Sequence, residues 1–274
     1  LQVGSQQRSS KEFQAAIDMV QNGAIGHIEK IYARVGEPPT PLSLPEMPVP
    51  ANLNFNQWMG PLNDPKIHYH PDLCPPISLD PEENEKLWGA WRWYQETGNG
   101  YTADWGAHMF DIAQWALGMD DSGPIEFTPP EEGELKPLSM RYANGTVMTH
   151  EPFRKADGNA VRFIGSDGVI DISRSFLDTI PAKLQDEVIG DDKIKLYKSD
   201  DHYNDFLTAM KTRKQPLSTV EVGHRTASLC HIVNLCYEFD RKLVWNPEKE
   251  EFFFDDEANK RRGNPIREPY SLKV

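Results

Sequence analysis

Cysteine is scarce. Cys74, Cys230 and Cys236 are the only three in 274 residues, and no two form a Cys-x-x-Cys pair. If Cys230 and Cys236 share a helix, they lie about 9 Å apart along its axis at 1.5 Å per residue, too far for a bridge. No disulfide framework is expected, and the compartment stays open. Basic charge is short as well: 29 Lys and Arg stand against 42 Asp and Glu, a formal net charge of −13. That balance argues against nucleic acid and anionic membrane surfaces, both of which need basic patches. No run is apolar for the roughly 18 residues of a membrane span. Leu1-Gln2-Val3-Gly4 neither follows a charged segment nor leads the apolar core of a secretion signal. The chain opens without methionine, so an upstream start is expected. Also missing are GxGxxG after a strand, GxxxxGK[ST], GxSxG and HExxH, which leaves no visible means of binding a nucleotide. The length fits one large domain or two modest ones, and no internal repeat is evident.

What is present centres on residues 98–115. From Ala103 onward, Trp105, Met109, Ile112 and Ala116 form one helical row, and Phe110, Ala113 and Leu117 form its neighbour. Asp104, His108 and Asp111 run down the remaining side at offsets of four and three, which stacks them on one face. Buried carboxylates and imidazoles are costly unless paired, so this stripe is expected to face a cleft, a partner or a ligand. An Asp and a His one turn apart make an acid/base unit, because imidazole titrates near working pH and a carboxylate can orient it. Two other readings stay open: a satisfied core pair, and a metal site. Gly98 and Gly100 give the backbone freedom where it enters the helix.

Along the chain, Leu1–Gly4 reads as the tail of a strand, and Ser9-Ser10-Lys11-Glu12 as a capping box. The helix it opens carries Phe13, Ala16, Ile17 and Val20 inward and ends at Asn22-Gly23. His27–Val35 alternates as a strand with Ile31, Ala33 and Val35 on one side. Residues 1–26 are therefore read as a remnant of the last β-α unit of another domain, and 27–274 as the domain proper. Many of the 22 prolines fall in a long aromatic excursion over 37–97, the length of loop that is usually functional when ordered. In it, His68, His70 and Asp72 superficially resemble a metal cluster, though pocket wall or surface is the plainer reading and no metal is assigned. Trp91-Arg92-Trp93-Tyr94 could stack on a sugar ring and donate hydrogen bonds to its hydroxyls, or simply pack beneath the loop. Leu138–His150 reads as a hairpin turning at Asn144-Gly145, and Val161–Ile172 as one turning at Asp167-Gly168. Tyr203, Phe206, Leu207 and Met210 stripe one later helix; Leu229, Ile232, Val233 and Cys236 stripe another, in which His224 and His231 read as structural. Phe252-Phe253-Phe254 reads as a strand or arm on the sheet. The fold class expected is α+β: a two-layer sandwich whose open, mainly antiparallel sheet carries helices on one face.

Asp104-Trp105-Gly106-Ala107-His108-Met109-Phe110-Asp111 resembles the D-x-G-x-H-x-x-D pattern of the glucose-fructose oxidoreductase, inositol dehydrogenase and MocA family, in its C-terminal domain. Similarity extends to residues 2–9, to Asn22-Gly23-Ala24-Ile25-Gly26, Tyr142-Ala143-Asn144-Gly145, Phe163–Gly168 and Glu221–Arg225. The resemblance implies an NAD(P)-dependent oxidoreductase acting on a sugar, cyclitol or related polyol. It implies Asp104 and His108 as the catalytic pair, with Arg8, Arg92, Tyr94, His70 and Tyr101 on the substrate side and Arg8 near the nicotinamide. It implies NAD or NADP held mainly by an N-terminal Rossmann domain that these residues do not include, so the isolated chain is expected to be inactive. It also implies a homo-oligomer formed through the open sheet. A non-catalytic carbohydrate-binding or scaffold module and a metal-dependent hydrolase remain the alternatives.

Overall fold

A computed structural model describes all residues except 77–81, 83–87, 132–136, 154–157, 187–193, 195 and 271–274. The backbone divides into two compact units, Leu1–Gly36 with Trp105–Phe253 and Glu37–Asp104 with Phe254–Val274.

The first unit is an α+β layer structure. Among the described residues its nine strands are β1 (Ile28–Arg34), β2 (Glu126–Thr128), β3 (Leu138–Arg141), β4 (Val147–His150), β5 (Ala160–Gly165), β6 (Gly168–Ser173), β7 (Leu177–Ile180), β8 (Leu243–Asn246) and β9 (Glu251–Phe252). They pair in the order β7-β6-β5-β1-β4-β3-β2-β8-β9, antiparallel throughout except for β1 against β4. The register aligns Ile170, Phe163, Ile31, Met148, Met140, Phe127 and Leu243 across seven strands, and all seven are fully buried. Because side chains alternate, their neighbours Lys30, Val147, Arg141, Glu126 and Val244 line up on the opposite face. Against the apolar face lie α1 (Lys11–Gln21), α4 (Gly106–Ala116) and α6 (Val220–Phe239), the mainly antiparallel, one-sided arrangement expected from the sequence. Val35 completes the buried side of β1 with Ile31 and Ala33.

Several local expectations need correction. Leu1–Gly4 joins no strand; Val3 N instead donates to the Ser218 carbonyl at 3.0 Å. The capping box does not form, because residues Gln6–Ser9 make a 3-10 turn that leaves Ser10, not Ser9, at the helix entry. Ser9 Oγ donates to Ser199 Oγ at 3.2 Å, and Ser10 Oγ to Glu12 at 2.7 Å. The second hairpin turns at Ser166-Asp167, one residue earlier than expected, since Gly165 and Gly168 pair with each other. Gly168 can lie there because it has no side chain: a Cβ would meet the Ile180 carbonyl at 2.6 Å. Finally, the stripe Tyr203, Phe206, Leu207 and Met210 lies on α5 (His202–Thr212) but is exposed. A periodic apolar row marks a face without saying what covers it.

The second unit contains α2 (Phe55–Met59), a 3-10 turn at Ala90–Arg92, α3 (Gly100–Asp104) and α7 (Asp256–Asn259). Phe55, Ile67, Tyr69 and Cys74 form its own small core. Gly100, at φ +73°, passes so close to the chain that a Cβ would meet Pro39 N at 2.5 Å, which is why glycine stands at the entry to α3.

Candidate active site

The stretch expected to be one helix is two. Trp105 interrupts it, ending α3 at Asp104 and leaving α4 to begin at Gly106. Gly106 lets α4 press on α6, since a Cβ there would lie 2.9 Å from Cys230 Sγ. The apolar rows then bury as expected: Met109, Phe110, Ile112, Ala113 and Ala116 are all inside, so α4 is enclosed on nearly every side.

Within this first unit the polar stripe divides in function. Asp111 is satisfied in the core. Arg8 Nε and Nη2 donate to its two oxygens, both at 2.8 Å, while Arg8 Nη1 and Nη2 donate to Asp120 at 2.8 and 2.7 Å. Thr226 Oγ1 donates to Asp111 at 3.2 Å, and the Arg8 guanidinium lies 5.0 Å from the Trp115 ring centre. Arg8 and Asp111 are each 1% exposed. Burial opposes the Arg8 charge, but Asp111 and then Asp120 outweigh it and raise its pKa. The structure thus sets Arg8 inside the protein as a clamp between the first 3-10 turn, α4 and the residues just beyond α4. No local pattern announced this clamp, because its members lie 103 and 112 residues apart.

His108 is the member of the stripe left uncommitted. It occupies the first turn of α4, its ring 5.5 Å from that of Trp105, and its buried Nδ1 has no hydrogen-bond partner among the described residues. Burial, and after it the positive charge of Arg174, push its pKa down to about 4. The amino end of α4 acts in the same direction, because the helix dipole disfavours a cation there. The imidazole is therefore neutral around pH 7, and its Nδ1 is unpartnered among the described residues. Arg174 and Gln7, which the sequence reading missed, also reach this neighbourhood: the Arg174 guanidinium stacks 4.4 Å over Trp105 and donates to Gln7 Oε1 at 3.5 Å.

In the second unit, Arg92 and Asp104 are brought together, Nε to Oδ1 at 3.8 Å. Burial raises the Asp104 pKa and Arg92 works against that rise. Arg92 also stacks over Trp88 at 4.6 Å and Trp91 at 4.4 Å, and Tyr101 lies on Trp93 at 4.0 Å. The aromatic faces considered for sugar stacking thus carry Arg92 and Tyr101. Tyr94 bridges in parallel to Thr40, and part of the loop that follows His68 lies outside the described residues. His70 Nδ1 accepts from the Asp72 backbone at 3.1 Å, and His68 Nε2 bonds the Leu44 carbonyl at 2.6 Å. Among the described residues, no three His, Cys, Asp or Glu side chains are grouped to hold a metal ion.

The family model described as "Oxidoreductase family, C-terminal alpha/beta domain" matches residues 32–272. The chain belongs to the Gfo/Idh/MocA oxidoreductase family. Solved structures are also similar to it. Aldose-aldose oxidoreductase from Caulobacter crescentus is similar at TM-score 0.50 and 14% identity, with 89% of this chain and 63% of that one covered. Myo-inositol 2-dehydrogenase from Lactobacillus plantarum matches at TM-score 0.47 and 16% identity over 88% and 63%. Scyllo-inositol dehydrogenase from Lactobacillus casei, solved with NAD(H) and scyllo-inositol, matches at TM-score 0.46 and 12% identity over 89% and 64%. This Gfo/Idh/MocA chain therefore spans less than two thirds of those structures' lengths. No curated protein matches it. No helix among the described residues is long and apolar enough to cross a membrane.

Proposed function

We propose that this chain is the substrate-binding and catalytic half of a dehydrogenase acting on a sugar, cyclitol or related polyol. The observation that carries the reading is His108: a neutral imidazole with an unpartnered nitrogen, in a chain of oxidoreductase lineage. Such a group accepts the hydroxyl proton as a carbinol becomes a carbonyl, and returns it in the reverse direction. Asp104, four residues earlier in the chain, is assigned to tune it, and Arg92, Tyr94, His70 and Tyr101 are assigned to the substrate. Arg8 contributes by holding α4 in place.

NAD or NADP is the hydride carrier in this reading, and the hydride chemistry is the cofactor's own. The residues described here do not fit a dinucleotide cradle, which needs a glycine-rich turn from a parallel strand into a helix. The parallel pair, β1 with β4, is separated in the chain by α2, α3, α4, β2 and β3, and among the described residues no glycine-rich turn leads from β1 directly into a helix. The cofactor is accordingly assigned mainly to protein outside residues 1–274. A homo-oligomer through the open face of the sheet belongs to the same reading, supported by Ile180 and Val244 standing exposed there.

In the full-length protein, His108→Ala should lower turnover of a polyol by about 10² or more, the usual weight of general acid/base catalysis. Turnover at the wild-type level in that variant removes the assignment.

A further inference from the structure

Arg174 follows the last residue of β6 and forms no ion pair with a carboxylate among the described residues. That is notable in a chain whose 42 acids outnumber its 29 bases. It lies 4.4 Å over the Trp105 indole, the same ring that packs 5.5 Å from His108, so a cation and a neutral imidazole flank one aromatic side chain. Gln7, 4% exposed, turns Oε1 toward Arg174 at 3.5 Å, while its buried Nε2 has no acceptor among the described residues. His108 Nδ1, buried as well, has no donor among the described residues.

Around Arg174 and Trp105 lie three groups that a ligand could engage: the exposed Arg174 guanidinium, which faces no anion among the described residues, a buried Gln7 amide N–H with no acceptor among them, and a buried His108 ring nitrogen with no donor among them. An uncharged polyol would serve the last two and leave the exposed Arg174 guanidinium to water alone. A carboxylate on a hydroxylated carbon chain serves all three, its oxygens accepting from Arg174 and Gln7 while a hydroxyl donates to His108. We propose that the substrate is a sugar acid, a uronate or an aldonate, and that Arg174 is the residue that selects it. This rests on the dehydrogenase reading above and narrows its substrate class.

The test uses full-length protein with D-glucuronate, D-galacturonate and D-gluconate beside D-glucose and myo-inositol, each with NAD+ and NADP+. At least one acid should exceed the neutral compounds about tenfold or more in kcat/KM. Arg174→Gln should abolish that preference through KM, and Arg174→Lys should restore part of it. Tryptophan fluorescence gives a second readout that does not depend on turnover. The preferred acid should produce a saturable change through Trp105, which Arg174→Gln weakens at least tenfold and which sulfate does not reproduce. Turnover confined to neutral compounds, or an acid whose KM and titration Arg174→Gln leaves in place, overturns the sugar-acid assignment while the dehydrogenase reading stands. No turnover of any compound removes the dehydrogenase reading, and the fluorescence titration then decides the acid site alone. An absent or sulfate-like response overturns it.

Discussion

Replacing Arg8 with Met should strand a carboxylate in the core. Among the described residues Asp111 would keep only the Thr226 hydroxyl at 3.2 Å in place of two guanidinium bonds at 2.8 Å, at a position 1% exposed. Asp120 is 40% exposed and regains water, so nearly all the penalty falls on Asp111. Removing one partner of a buried pair costs about 3–5 kcal/mol, because the remaining charge is left without compensation. With a urea slope of about 3 kcal/mol per M, the unfolding midpoint should fall by roughly 1 to 1.7 M. The assay is urea unfolding followed by circular dichroism and tryptophan fluorescence together, so that a departure from a single transition is visible. Adding Asp111→Leu to Arg8→Met removes the stranded group and should recover most of the loss, since apolar replacements of buried pairs are often near neutral. A midpoint within about 0.3 M of wild type for Arg8→Met, or a double variant less stable than the single one, refutes the clamp. Arg8→Lys separates clamp from substrate contact, because an ammonium cannot reproduce the fork of bonds. A clamp predicts lost stability, whereas direct substrate contact predicts a raised KM at unchanged stability.

His108 should titrate near pH 4 in the native protein, against about 6.5 when unfolded, as read from its imidazole NMR signals. Between those values the unfolded chain holds a proton the native one lacks. Its contribution to stability is therefore present above about pH 6.5 and is lost as pH falls toward 4, and His108→Gln should flatten that part of the stability profile. A native midpoint at or above 6.5 contradicts the burial argument. All three thiols should resist Ellman's reagent until the protein unfolds. Burial raises the pKa of each, with Cys236 pushed up to about 12, so thiolate is scarce at neutral pH. Labelling of any one in native buffer at the rate of the unfolded chain would refute this.

Periodicity made the layers legible. The alternation that put Ile31, Ala33 and Val35 on one side of β1 is the alternation the sheet uses, and Leu229, Ile232, Val233 and Cys236 do bury on α6. Such patterns work because a side chain's face follows from its position in a helix or strand before any tertiary contact exists. The D-x-G-x-H-x-x-D stretch was equally legible as a family signature, and its glycine has a packing reason in the approach of Cys230. The break at Trp105 was not visible, because the apolar rows run on through it and the helix signal takes no account of which unit each half joins.

By itself, then, the sequence determined the fold class, the buried faces of α1, β1, α4 and α6 and the candidacy of His108, all of which rest on short-range spacing and residue chemistry. Only the tertiary structure decided what each polar group does. It closed Arg8 onto Asp111 and Asp120, set Arg174 and His108 on one indole, and left the α5 stripe in the open. Partners separated by tens to more than a hundred residues leave no mark in local spacing, and the energy of a buried charge depends on those partners.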